Sequence, residues 1–370
     1  MRVFLFLVAG MLALTACADR SFTPTVPDAL QVGTPFTLFT ATTRAKNPDG
    51  SYGYERSEKL ALLEMTVSIP PSHTPGELEF AYARPDPQSQ FTMAARHEIP
   101  SKADFRTRLN TSLASLPADQ REVTVFVHGY NATQAETAFR AAQLANDINL
   151  PGTMVVYSWP SQGRALGYAY DNDSLLFARD GLEQLLFELH ETQARRIILV
   201  AHSMGALLAM EALRGIELRR PGWSGKNIGG VMLISPDLDI EVFRSQIKSL
   251  SKVPQPFVVF VSEHDGILNL SARLRGTGDR ERLGNISSTD EIADLPISII
   301  DTTAFANEAG SSHFVAATSP TLVAMLNDAQ TMRKTFGPEK LRLASLLPGE
   351  IVHLQGVTKI TLSPAEEGPN

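Results

Sequence analysis

The sequence predicts an α/β fold: a mostly parallel, doubly wound sheet with helices on both faces and an antiparallel N-terminal edge. Three features predict it. From Val123 onward, short apolar runs alternate with stretches of helical pattern. Those runs are nearly continuous rather than alternating, so the strands they form are buried on both faces, as in a parallel sheet covered by helices. Ahead of them, Phe36 to Arg121 reads as strands set apart by proline turns, a pattern that suits antiparallel pairing.

The elements follow in order. Phe36-Thr37-Leu38-Phe39-Thr40 alternates, Leu62 to Ile69 is apolar and partly β-branched, and Leu78–Tyr82 and Phe91–Ile99 read as further strands. Pro70-Pro71, Pro75-Gly76 and Pro85-Asp86-Pro87 separate them. The parallel strands are Val123–Val127, Met154–Tyr157, Ile197–Val200, Val231–Ile234, Phe257–Val261 and Ile297–Ile300. Between them, helices are expected from Ala132 to Ile148, from Ser174 to Glu191, and from directly after Ser203 to near Gly215. Asn131, with Gln134 three residues on, reads as the cap of the first. Glu350 to Leu362 reads as a short strand or hairpin. Right-handed crossovers would wind this sheet, and chemistry then collects at the carboxyl ends of its strands.

The chain has 370 residues, 43% of them hydrophobic and 20% charged, which is a globular composition. Its formal net charge is −7, and no block of basic residues offers a footprint for nucleic acid. Met1-Arg2 is a short positive start, and Val3 to Ala13 is an apolar run. The run is too short to span a bilayer as a mature helix but has the length of a signal-peptide core. It ends in Leu14-Thr15-Ala16-Cys17, which resembles the lipobox of bacterial lipoproteins. That resemblance implies removal of residues 1–16 and acylation of Cys17 as the new N-terminus. Cys17 is the only cysteine, so no disulfide forms within the chain, although export leads to an oxidising space. Plain secretion, with cleavage after Ala18, is the alternative. Ala18, where Asp would suggest inner-membrane retention, favours the outer membrane of the envelope. The acyl chains would supply the membrane affinity. Residues 18–35, with Pro24, Pro27, Gly33 and Pro35, read as a tether. The layout is thus a signal peptide (1–16), a tether (17–35), an α/β domain (36–335, with edge strands 36–121 and core 122–335) and a C-terminal extension (336–370).

The segment from Arg195 to Leu208 runs strand, sharp turn, helix, with Ala201-His202-Ser203-Met204-Gly205 at the turn. Small residues two before and two after the serine let a strained turn form, and the segment resembles the nucleophile elbow of the α/β-hydrolases. Ala201 departs from the usual glycine, but its methyl is small. Serine is a weak nucleophile until a base takes its proton. The resemblance implies its partners in the order serine, acid, histidine, each after a later strand. Asp265 follows the strand Phe257–Val261, and His313 follows Ile297–Ile300 on a loop long enough to return to Ser203. Asp237, after Val231–Ile234, stays open as an alternative acid, and Glu263 is a minor contender. His264 reads as a loop residue and His202 as packing. His353 reads as structural or exposed beyond the sheet, and His73, His97 and His190 have no supporting spacing. No cofactor is called for, and no His/Asp/Glu cluster has metal-site spacing.

Acyl transfer also needs donors for the developing oxyanion. The resemblance gives that role to the backbone N–H of Met204 and of Tyr130, the latter in the loop His128-Gly129-Tyr130-Asn131. His128 would support that loop. Asn131 reads as a helix cap or a polar site residue.

Four segments sharpen the resemblance: Val125–Asn131, Tyr157-Ser158-Trp159-Pro160-Ser161-Gln162-Gly163, Ala201–Gly205 and Ser235-Pro236-Asp237-Leu238-Asp239. Together they are similar to a bacterial α/β-hydrolase family of uncharacterised function, esterase/lipase-like, over residues 36 to 330. Trp159, with Tyr168 and Tyr170, would line an acyl or alcohol pocket, or else pack the loop. The resemblance implies a carboxylesterase or lipase-like serine hydrolase acting on a small-molecule or lipid ester. The alternative is a lipid-anchored binding or envelope-assembly module that keeps the fold without turnover.

Overall fold

The computed structural model describes residues 20, 23–150, 152–276, 281–336 and 349–363. The expected signal peptide and Cys17 lie outside these residues. The strands are β1 (Thr34–Lys46), β2 (Tyr52–Ile69), β3 (Thr92–Ile99), β4 (Glu122–Val127), β5 (Thr153–Ser158), β6 (Arg196–His202), β7 (Ile228–Ile234), β8 (Phe257–Val261), β9 (Ser298–Asp301), β10 (Gly349–Leu354) and β11 (Val357–Leu362). The helices are α1 (Lys102–Ala114), α2 (Gln134–Asp147), α3 (Tyr168–His190), α4 (Met204–Arg219), α5 (Trp223–Asn227), α6 (Ile240–Ser249), α7 (Gly266–Leu274), α8 (Val315–Thr318) and α9 (Pro320–Phe336).

The strands form one sheet in the order β10-β11-β9-β8-β7-β6-β4-β5-β1-β2-β3. From β11 through to β1 every pairing is parallel. The buried apolar runs read from the sequence are those strands, and β4, β5 and β8 are buried along their whole length. Apolar side chains fill both faces. One core joins Phe105 and Leu109 of α1, Leu182 and Leu186 of α3, Leu208 of α4 and Phe243 of α6 to the sheet. The other joins Phe139 of α2 and Leu322 of α9 to the opposite face. Each such Leu or Phe contributes about 1.5–3 kcal/mol on burial. Among the described residues no helix is long and apolar enough to cross a membrane.

Several local expectations change. The first strand, β1, pairs in parallel with β5, so the antiparallel edge consists of β2 and β3. Leu78–Tyr82 is not a strand. Prolines at 75, 85 and 87 flank it, and Leu78 and Phe80 instead pack on the α2 face. Residues 102–114 form a helix inside the region read as strands. Ser101 caps it by accepting from the Asp104 N–H, and Phe105, Leu109 and Leu113 bury one stripe at four-residue spacing. The cap of α2 is Thr133, not Asn131: its hydroxyl accepts from the Glu136 N–H, and the Glu136 carboxylate accepts from the Thr133 N–H. Asn131 lies two residues ahead of that cap in the left-handed region, φ 58°. Helix α3 begins at Tyr168, six residues before the expected Ser174. The C-terminal hairpin joins the sheet, with β11 parallel to β9. His353 therefore lies on β10 within the sheet, exposed.

Candidate active site

Strand β6 ends at His202 and helix α4 starts at Met204, leaving Ser203 alone in the turn with φ 54° and ψ −125°. Only close packing holds a non-glycine residue there. The Ser203 N–H donates to the Ile234 carbonyl at 3.0 Å, and the Asp237 N–H donates to the Ser203 carbonyl at 3.2 Å. Both bonds tie the turn to the end of β7. Gly205 leaves room for the loop after β4: a Cβ there would strike the His128 carbonyl oxygen.

The loop after β9 brings His313 back to the serine. Its Nε2 lies 2.8 Å from Ser203 Oγ, and its Nδ1 lies 2.7 Å from Asp265 Oδ2. A carboxylate only accepts, so Nδ1 carries the proton and the Nε2 lone pair faces the hydroxyl. Asp265 is fully buried and caps α7. Its Oδ1 accepts from the Ile267 and Leu268 N–H groups, both at 3.1 Å. A charge buried at a helix N-terminus is favoured there. One oxygen is thereby fixed, and the other is left for the imidazole.

The alternative acid is engaged elsewhere. Asp237 pairs with the buried Arg282 at 2.8 Å and accepts from the hydroxyls of Ser271 and Tyr168 at 2.6 and 2.8 Å. Glu263 and His264 are exposed, and Asp239 caps α6. His202 stacks on Phe314 at 4.0 Å between centroids, and its Nε2 meets the His313 carbonyl at 3.1 Å. Burial, then the neighbouring His313, pushes His202 well below the usual histidine range. A neutral His202 therefore donates that bond and steadies the backbone at His313. His73 pairs with Asp147, His190 lies against Trp223, and His97 is exposed on β3. Among the described residues no group of three or more metal-ligating side chains gathers.

The loop after β4 presses on the elbow. A Cβ on Gly129 would lie 2.8 Å from the Cβ of Ser203, so only glycine lets the chain run this close to Ser203 ahead of Tyr130. Met204 opens α4, and a first-turn N–H has no carbonyl within its own helix. Trp159 lines no open pocket: it is fully buried. Its ring stacks on His128 at 4.9 Å, and its indole N–H donates to the His128 carbonyl at 2.7 Å. The flat, apolar indole is the floor of the loop. Tyr168 meets Tyr130 edge to face, and the Tyr170 hydroxyl donates to the Tyr54 carbonyl.

Two residues that sequence reasoning missed fasten these loops. Arg44, fully enclosed at the end of β1, donates to the carbonyls of Gly53, Ser161 and Ala132 and to the Ser158 hydroxyl, at 2.7–3.0 Å. Asp171, buried in α3, accepts from the Ser161 hydroxyl and from the N–H groups of Gln162 and Asn131. Burial pushes Arg44 down to about 10 and raises Asp171 despite its hydrogen bonds. The hint in the sequence was Ser161, whose hydroxyl also accepts from the Ala132 N–H.

A mostly parallel sheet clad by helices, with a serine elbow after β6, defines an α/β hydrolase. The chain belongs to the family described as "Alpha/beta hydrolase of unknown function (DUF900)", which matches residues 101–330. No curated protein matches it. Among solved structures, a thermostable esterase from Pseudomonas putida ECU1011 is similar at 11% identity and a TM-score of 0.38, over 83% of this chain and 86% of that one. The dienelactone hydrolase from Anabaena variabilis ATCC 29413 is similar at 13% identity and 0.37, over 75% and 93%. Esterase B from Lactobacillus rhamnosis is similar at 12% identity and 0.36, over 91% and 100%.

Proposed function

We propose that this α/β hydrolase cleaves carboxylic esters through an acyl-enzyme on Ser203 and is held at the bacterial envelope by a lipid on Cys17. The observation that carries the catalytic half is the continuous hydrogen-bonded chain Ser203–His313–Asp265. Ser203 Oγ attacks the ester carbonyl carbon as its proton passes to His313 Nε2. The carbonyl π electrons move onto oxygen, which the N–H groups of Met204 and Tyr130 receive. Asp265 stays ionised and stabilises the imidazolium. Collapse breaks the C–O bond to the alcohol, whose oxygen takes the proton from Nε2. Water then gives a proton to Nε2 and attacks the acyl-serine, and the acid leaves as Ser203 is reprotonated.

A panel of chromogenic esters of increasing acyl length, with Ser203→Ala beside the parent chain, tests this reading. Turnover in the parent and none above background in the variant is expected; equal rates in both would sink it. A binding module that keeps the fold without turnover would gain if His313 lay out of reach of Ser203; the 2.8 Å separation gives it no such support. The anchor has its own test: Cys17→Ser leaves the membrane fraction, and normal retention would refute the lipid attachment.

A further inference from the structure

The end of the fold that carries Ser203 also bears an apolar surface the triad does not use. Helix α7 buries Leu268, Ser271 and Ala272. It turns Ile267, Leu270 and Leu274 outward, exposed at 45%, 52% and 61%. Their spacing of three and four residues makes one stripe, on the helix that Asp265 caps. The loop before α3, two residues ahead of the Tyr168 that bonds to this helix, exposes Leu166 at 99%. The two are joined below: the Tyr168 hydroxyl lies 2.6 Å from Ser271 Oγ and accepts from Arg275 Nε. Tyr130, next to Gly129 in the chain, donates its hydroxyl to the Ala165 carbonyl. Clustered exposed leucines beside a site mark a surface that something covers.

What covers it is indicated by charge and by where the N-terminal segment lands. Arg164 and Arg273 are exposed beside Leu166 and Leu274, while Glu263 is the one exposed carboxylate in 262–276. Arg20 docks on the same loop: its guanidinium donates to the Gly163 carbonyl at 2.7 Å and to Asn131 Oδ1 at 2.8 Å. Cys17 stands three residues earlier, so an acyl group there attaches within about 11 Å of chain reach. A lipid on so short a lead brings this rim, and not the far end of the sheet, to the bilayer. We propose that Leu166 and the Ile267–Leu270–Leu274 stripe dock on a lipid bilayer surface, with Arg164 and Arg273 against anionic headgroups. Its orientation rests on the lipid attachment at Cys17, and it makes membrane-borne acyl esters the substrates that reach Ser203.

The test uses the acylated chain in vesicles of phosphatidylethanolamine and phosphatidylglycerol. With Cys17 acylated, a cysteine introduced as Leu166→Cys, Leu270→Cys or Leu274→Cys is the sole free thiol. An environment-sensitive dye on each should be quenched by spin-labelled lipid and shielded from aqueous iodide. Leu218→Cys, at the opposite end of α4 and 66% exposed, should behave in reverse. Equal iodide access at positions 270 and 218 overturns the proposal. So does shielding from both quenchers with a doubled mass in detergent, which would assign the face to a second copy. Dye uptake by the parent chain means Cys17 is free and the anchor reading has failed; the same probes placed in a Cys17→Ser chain with added vesicles then still decide the surface. The readout needs no turnover, so failure of the hydrolase reading is separate. Where turnover is present, serine at 166, 270 and 274 together should lower hydrolysis of vesicle-borne ester about tenfold or more and leave a soluble short-chain ester unaffected.

Discussion

Ser203 is held at φ 54° and ψ −125°, a conformation that costs a side-chain-bearing residue about 1–3 kcal/mol. Ser203→Ala keeps that strain and Ser203→Gly releases it. Both should abolish ester turnover, and the glycine variant should unfold at higher denaturant than the alanine variant by about 1 kcal/mol. Equal midpoints would mean the elbow is unstrained. The two candidate acids separate as clearly. Asp265→Asn should lower kcat about 10⁴-fold by favouring the wrong imidazole tautomer, with the melting temperature little changed. Asp237→Ala removes the carboxylate that pairs with the buried Arg282 and should cost about 3 kcal/mol of stability or more, with kcat largely kept. The reverse outcome would reassign the acid. Ser203, Asp265 and His313 were legible because each follows a strand readable as an apolar run. Arg44 was not: nothing in Thr42-Thr43-Arg44 says that its guanidinium turns inward to meet carbonyls from three other segments.

The elements that carry the site are two loops, one after β4 and one after β5, and they are built as a pair. His128 and Trp159 stack across them, and Arg44 and Asp171 clamp them from either side. Arg44→Met strips the donors from buried carbonyls, each left at about 1–3 kcal/mol of unmet desolvation. It should lower both the melting temperature and kcat. Arg44→Lys, which keeps the charge but not the planar fork, should lower kcat at least about tenfold even where stability is recovered. Unchanged kcat in a folded Arg44→Lys variant would mean the clamp does not position the oxyanion donors. At this scale the sequence misled in definable ways. Asn131 has the chemistry of a cap, but Thr133 with Glu136 forms the reciprocal box. Lys102–Ala114 shows four-residue spacing that a neighbourhood of strands obscured. The parallel pairing of β1 with β5 is a long-range choice that no local pattern encodes.

At the scale of the whole molecule, the described strands form one sheet whose carboxyl edge gathers Ser203, His313 and Asp265, and stability carries the mark of a buried neutral histidine. Burial, and then Arg44, pushes His128 down to about 3 from an ordinary 6.5. Below about pH 6.5 the unfolded chain therefore takes up a proton that the folded chain refuses. Stability from this site is complete above 6.5 and declines as pH falls toward 3, by about 1.4 kcal/mol per unit. Denaturant midpoints at about pH 7 and pH 5 should differ for the parent chain and differ less for a folded His128→Asn variant. An equal slope in both would exclude His128 as the source. The parallel character of the strands from β4 to β9 was legible because continuous apolar runs state burial on both faces; their order was not. The C-terminal hairpin was legible as strands but not as part of the sheet, since its pairing with β9 depends on tertiary contact. The central claim is that Ser203 is a nucleophile activated by His313. Mass spectrometry after treatment with a fluorophosphonate probe tests it most directly. One adduct is expected, on the peptide bearing Ser203, lost in Ser203→Ala and suppressed in His313→Ala. An unlabelled parent chain under conditions that label ordinary esterases, or an adduct on another residue, would contradict it.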